Sequence, residues 1–120
     1  MATFAIVLTS APHQNKTATA IDFIRSTLES GHEIAGVFFY QNAVLHANIN
    51  TEMPSDELQS IKQLKTLKAN YNLALHLCIT AGEKRGLTDG SNLNIDQSFT
   101  VSGLGEMVEL ANNADYMVQF

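Results

Sequence analysis

The chain has 120 residues, a length that suits one domain, and 45% of them are hydrophobic, enough for a core without disulfide staples. Seven Lys and Arg stand against twelve Asp and Glu, a formal net charge of −5, which argues against direct RNA or DNA binding, where affinity comes largely from neutralising phosphates. The lone cysteine cannot form an internal disulfide and fits a reducing, cytoplasmic setting, and no apolar run approaches the roughly 18–20 residues that cross a bilayer.

Phe4-Ala5-Ile6-Val7-Leu8 is a continuous apolar run with no basic segment before it. It reads as a strand covered on both faces, not as a signal peptide. Ser10 to Lys16, which contains Pro12, is the loop at that strand's carboxyl end. From Thr17 onward, Ala20, Phe23, Ile24 and Leu28 follow helical spacing, and Gly31 stops the helix by tolerating a left-handed cap. Ile34 to Tyr40 is a second strand centred on Val37-Phe38-Phe39. Asn42 to Asn50 is consistent with either a short helical turn or an ordered loop.

Pro54-Ser55-Asp56-Glu57 has the chemistry of a helix start, a capping residue with acidic groups in the first turn. Leu58, Ile61, Leu64 and Leu67 continue one apolar stripe, with Lys62, Lys65 and Lys68 mostly off it. Leu73 to Ile79 is a third strand, followed by a short helix from about Ala81 that Gly86 stops. Asp89-Gly90-Ser91-Asn92 is turn chemistry, and Ser98 to Val101 reads as a short fourth strand. Leu104, Met107, Val108 and Ala111 define a last helix, and Tyr116 to Phe120 a closing strand. The alternation predicts one α/β domain over residues 1–120, a three-layer α/β/α sandwich with a mostly parallel sheet of about five strands. The order of the strands cannot be read from this pattern.

Cys78 sits where the third strand hands over to a helix, the rim at which open α/β sheets gather ligands and chemistry. Two readings of it stand. Cysteine is among the most buried residue types, so a lone one at the end of an apolar strand is ordinarily core. Against that, a helix amino terminus with Lys84 and Arg85 nearby favours the thiolate, and the same groups would hold a persulfide anion. His76 lies two residues earlier and, in a regular strand, shares a face with Cys78, as an acid–base partner or as a hydrogen-bonded histidine beneath a helix.

Other candidates are weaker. His13, His32 and His46 are scattered and form no close ligand pair, so no metal site is expected. Lys16-Thr17 echoes the end of a phosphate-binding loop, but Ser10 and Asn15 stand where such loops carry glycines, which counts against a nucleotide or flavin module. The aromatic and large apolar residues of Val37 to Tyr40, Val44 and Met117 to Phe120 are core, with some available to a subunit interface.

An ordered set of motifs over nearly the whole chain resembles the DsrE-like family of sulfur-relay proteins. It runs from Phe4 to Thr9, through Gly31-His32-Glu33, Val37 to Tyr40, Ala47-Asn48 and Pro54 to Glu57, to Leu75 to Cys78 with Arg85-Gly86. It closes with Ser91-Asn92-Leu93, Phe99 to Gly105 and Val118-Gln119-Phe120. The resemblance implies a sulfurtransferase subunit that needs no cofactor and whose reactive cysteine is Cys78. It implies a hetero-oligomer, a heterohexamer, with TusB-like and TusC-like subunits. Sulfur would arrive as a persulfide from a TusA-like donor and leave to a TusE-like acceptor, for 2-thiolation of tRNA wobble uridine. A DsrE-type role in dissimilatory sulfur oxidation and a non-catalytic scaffold role are the alternatives. Lys84 stands where the family often has a second arginine, and the stretch from Thr88 to Ile95 is shorter than usual.

Overall fold

The computed structural model describes residues 1–88 and 94–120. The expected turn at Asp89 to Asn92 and the Ser91-Asn92-Leu93 motif lie outside the described residues. Among the described residues, five strands form one sheet: β1 (Thr3–Leu8), β2 (Glu33–Phe39), β3 (Leu75–Cys78), β4 (Thr100–Ser102) and β5 (Tyr116–Gln119). Their order is β4-β3-β2-β1-β5, and every pairing is parallel. Four α-helices connect them: α1 (Asn15–Glu29), α2 (Ser60–Tyr71), α3 (Ile79–Glu83) and α4 (Leu104–Asn112). This is the expected α/β architecture.

Side-chain alternation assigns the helices to two faces. Phe4 meets Phe23 of α1 edge-on, with ring centroids 5.7 Å apart. One residue along β1, Ala5 pairs with Gly36 of β2, on the opposite face. There a Cβ added to Gly36 would lie 2.9 Å from Cδ2 of Leu110, so the absent side chain is what lets α4 approach the sheet. Helix α1 therefore covers one face, joined by α2, and α4 covers the other. The central strands are mostly apolar because both faces are roofed, with His76 the polar residue within β3: Ile6, Leu8, Val37, Phe38, Phe39, Leu75 and Leu77 are all fully buried.

Gly31 ends α1 at φ 86°, the left-handed conformation that its position required. Of Asn42 to Asn50, open between turn and loop, the part to Ala47 belongs to a 3-10 helix that begins at Gln41, and His46 within it is buried against Phe39. Helix α2 begins later than its capping chemistry suggested. Pro54 to Glu57 forms only a turn, with the Glu57 N–H on the Pro54 carbonyl at 3.0 Å. The Gln59 amide then donates to the Pro54 and Glu57 carbonyls, at 2.8 and 3.2 Å, which holds them away from a helical ladder. The helix starts at Ser60, whose hydroxyl anchors it to the Pro12 carbonyl at 3.2 Å. Helix α3 begins at Ile79, two residues earlier than expected, because β3 ends at Cys78.

Among the aromatic and apolar residues considered for an interface, Val37, Phe38, Phe39 and Val44 are core. Met117 stays 43% exposed on the edge strand, beside Tyr116 at 59%. Among the described residues, no helix is long and apolar enough to cross a membrane.

Candidate functional site

Cys78 is the last residue of β3 and the N-cap of α3, with φ −71° and ψ 113°. The strand direction carries it to the carboxyl rim of the sheet, and the switch to helical geometry begins one residue later. Its neighbours in the sheet are the ends of β2 and β4, since Phe39 pairs with Leu77 and Ser102 with Cys78. The thiol thus lies between two further strand-to-helix connections.

Cys78 is only 1% exposed, which alone would suit the core reading. Yet it forms part of the wall of a pocket of about 290 Å³, with Tyr40, Gln41, Thr80, Ala81, Lys84, Arg85 and Leu104 as the other walls. The two observations are compatible: a wall atom at the bottom of a recess has little surface of its own and is still the floor that a ligand reaches.

The structure places Lys84 and Arg85 in the wall of this pocket. Arg85 is fixed by two neutral acceptors: Nε donates to Asn42 Oδ1 at 3.0 Å and Nη1 to the Ala81 carbonyl at 2.9 Å. Lys84 is the exposed C-cap of α3. Neither has a carboxylate partner among the described residues.

His76 is placed differently from the two cations. It shares a face with Cys78, but its ring is spent on α4 and β4. Nδ1 lies 3.2 Å from Ser102 Oγ, and Nε2 lies 3.3 Å from Glu106 Oε1. It is absent from the described walls of the pocket and is not hydrogen-bonded to Cys78. Of its two expected roles, the structure shows the histidine beneath a helix.

Five pocket residues were not among the sequence candidates: Tyr40, Gln41, Thr80, Ala81 and Leu104. Gln41 adopts φ 51°, a left-handed conformation that costs a non-glycine residue roughly 1–2 kcal/mol. The positive φ turns the chain sharply off β2, so the residues after Phe39 wrap the mouth instead of continuing past it. Glutamine is not a residue type that signals such a turn.

The other candidates resolve as structural. Thr17 is fully buried, and its hydroxyl donates to the Ala11 carbonyl at 2.7 Å, close to Ser10 Oγ at 2.9 Å. It braces the first loop from within and presents nothing to a phosphate. His46 is buried with Nδ1 at 2.9 Å from the Ala43 carbonyl, so Nδ1 carries the proton. Burial lowers its pKa from 6.5 to about 4, against the opposing pull of the Ala43 carbonyl. Among the described residues, no three His, Cys, Asp or Glu side chains gather as metal ligands would.

An open parallel sheet that presents one cysteine at its carboxyl rim, in a cation-lined recess, defines a class of thiol-bearing α/β proteins. The comparisons with known proteins are more specific. The model of the DsrE/DsrF-like family matches residues 2–120. Sulfurtransferase TusD of Klebsiella pneumoniae is 37% identical over 98% of both chains, and that of Salmonella newport 34% over the same share. The crystal structure of the ychN protein from E. coli superposes with a TM-score of 0.76 over the whole of both chains, at 24% identity, a likeness of fold. The chain belongs to the DsrE/DsrF-like family. Within it the resemblance is to TusD, and the activity of the class is that of a sulfurtransferase.

Proposed function

We propose that Cys78 carries sulfur as a persulfide and relays it between partner proteins. The observation that supports this reading best is the pairing of the chain's single cysteine with Lys84 and Arg85 in one recess at the sheet's carboxyl rim. Similarity to the TusD sulfurtransferases over 98% of the chain agrees with it. The thiolate of Cys78 attacks the terminal sulfur of a donor persulfide; a new S–S bond forms, and the donor's thiolate leaves with the electron pair of the old one. An acceptor thiolate then attacks the outer sulfur on Cys78 and regenerates the starting thiolate. Both steps are thiol–persulfide exchange, with no net redox change and no cofactor. The two cations stabilise the persulfide anion between the steps.

In this reading the chain works within a hetero-oligomer of TusB-like and TusC-like subunits. A TusA-like carrier is the donor and a TusE-like carrier the acceptor, and the pathway ends in 2-thiolation of tRNA wobble uridine. Mass spectrometry after incubation with a persulfide donor should find one added sulfur on Cys78. Cys78→Ser should keep fold and assembly and lose transfer. Transfer that persists in the serine variant would move the nucleophile to another subunit and leave this chain a scaffold.

A further inference from the structure

The pocket in front of Cys78 is electrically unlike the rest of the molecule. The chain has twelve acidic side chains against seven Lys and Arg. Two of those seven line this recess, and none of the described carboxylates does. Of the other five, two are paired with carboxylates: Arg25 with Asp22 at 3.1 Å, and Lys65 with Asp96. Here the guanidinium of Arg85 is held rigid by Asn42 Oδ1 and the Ala81 carbonyl, both uncharged, so its position is fixed while its charge is left uncompensated by the described residues. The remaining polar walls, Thr80, Tyr40 and Gln41, all have hydrogens to donate.

Access limits what can use such a recess. With Cys78 1% exposed, the opening it presents among the described residues is the pocket it lines. A protein donor must insert its own cysteine, whereas a small donor enters whole. A preorganised arginine beside a lysine, among neutral donors, is suited to an oxyanion, which takes several charge-assisted hydrogen bonds at once.

We infer that the Cys78 pocket admits a small sulfur oxyanion as sulfur donor, the thiosulfate class, with its oxygens on Lys84 and Arg85 and its sulfane sulfur toward Cys78. The inference rests on the persulfide role proposed for Cys78 and adds a substrate class to it. In the step, the Cys78 thiolate attacks the sulfane sulfur. The Cys78–sulfur bond forms as the S–S bond of thiosulfate breaks, and sulfite departs with the electron pair of that bond. Charge is conserved: a monoanion and a dianion give the Cys78 persulfide monoanion and sulfite dianion. No oxidant or reductant is consumed. Bringing a dianion to a thiolate concentrates negative charge in a small volume, which the two cations offset.

The test compares two donors on the reduced full-length chain. One is thiosulfate; the other is the persulfide of 2-mercaptoethanol, which has no oxyanion. Sulfite release and the one-sulfur mass gain on Cys78 are the readouts. Both donors should load the wild type, with sulfite formed only from thiosulfate. Lys84→Gln, at an exposed position where folding is not at issue, should lower the rate of loading by subsaturating thiosulfate about tenfold, and loading from the persulfide by a clearly smaller factor, since both donors leave a persulfide anion beside this cation but only thiosulfate brings an oxyanion to it. Lys84→Arg should restore most of the thiosulfate rate. Arg85→Gln should act in the same direction, and added salt should slow the thiosulfate reaction more than the other. Loading from the persulfide without sulfite from thiosulfate overturns this inference and leaves the relay intact. Loading from neither donor removes the relay role and this inference with it. Thiosulfate turnover indifferent to Lys84→Gln and Arg85→Gln overturns the assignment of the oxyanion to these cations.

Discussion

Arg85 and Asn42, 43 positions apart in sequence, are joined by a hydrogen bond of 3.0 Å from the guanidinium Nε to the amide Oδ1. The contact ties the residues just after α3 to the 3-10 segment that follows β2, and so links two walls of the Cys78 recess. Asn42→Ala should cost about 0.5–1.5 kcal/mol, the range of one side-chain hydrogen bond. Arg85→Ala should cost more, since it also gives up the Ala81 carbonyl at 2.9 Å. Urea denaturation of the two variants and their double mutant checks this; additive losses would show that the residues do not cooperate.

His46 gives the fold an acid sensitivity of defined sign. Its pKa is about 4 in the folded chain against 6.5 as the ordinary value, so the unfolded chain takes up the proton first as pH falls. The associated stability is complete above pH 6.5 and is lost progressively between 6.5 and 4, to a total of about 3 kcal/mol. His46→Leu should flatten that part of the stability profile relative to wild type. Equal slopes for the two proteins in chemical denaturation from pH 7 to pH 4 would contradict the assignment.

His76 should prove separable from sulfur chemistry. Its two ring nitrogens serve Ser102 and Glu106, at 3.2 and 3.3 Å, and pin α4 to the β3–β4 edge. His76→Asn should lower stability by about 0.5–1.5 kcal/mol, because its part-buried partners lose a side-chain hydrogen bond. Loading of Cys78 by the 2-mercaptoethanol persulfide should stay within about threefold of wild type, as removing a charge-assisted bond outside the pocket leaves the nucleophile's walls in place. A loss of loading much beyond that, in a folded variant, would return His76 to the reacting groups.

Phe99 closes the core beneath the segment that leads into β4, with its ring edge-on to Phe39 at a centroid distance of 5.0 Å. Phe99→Ala should cost about 3–5 kcal/mol, the usual range for a buried aromatic. The neighbouring Lys65–Asp96 ion pair holds the same segment to α2 from outside. Burial tends to raise the Asp96 pKa, but the hydrogen bonds from Lys65 and Ser98, with the lysine's charge, lower it overall. Asp96→Asn should therefore destabilise the protein mildly at neutral pH and less so as the solution becomes acidic, measured against wild type by thermal melting.

The strands were legible because a doubly covered sheet leaves a plain mark: runs such as Phe4 to Leu8 have no polar face. Their order was not, since the parallel strands β1, β2 and β3 are joined by long crossovers and carry no local register signal. That Cys78, Lys84 and Arg85 lie near one another was legible from their closeness in sequence at a strand end. Tyr40, Gln41 and Asn42 were not, because what recruits them is the turn at Gln41, fixed by tertiary packing instead of local propensity. The late start of α2 has a similar cause: the side chain of Gln59 competes with the backbone, and only the folded geometry shows which wins.

Three adjacent strands, β2, β3 and β4, each send the segment after them to the same opening, while Cys78 itself stays on the sheet's rim between. Lengthening or exchanging any one of those segments would reshape the entrance and leave the buried layers beneath it unaltered. In the proposed relay, the choice of partner can therefore change with these segments while Cys78 keeps its place.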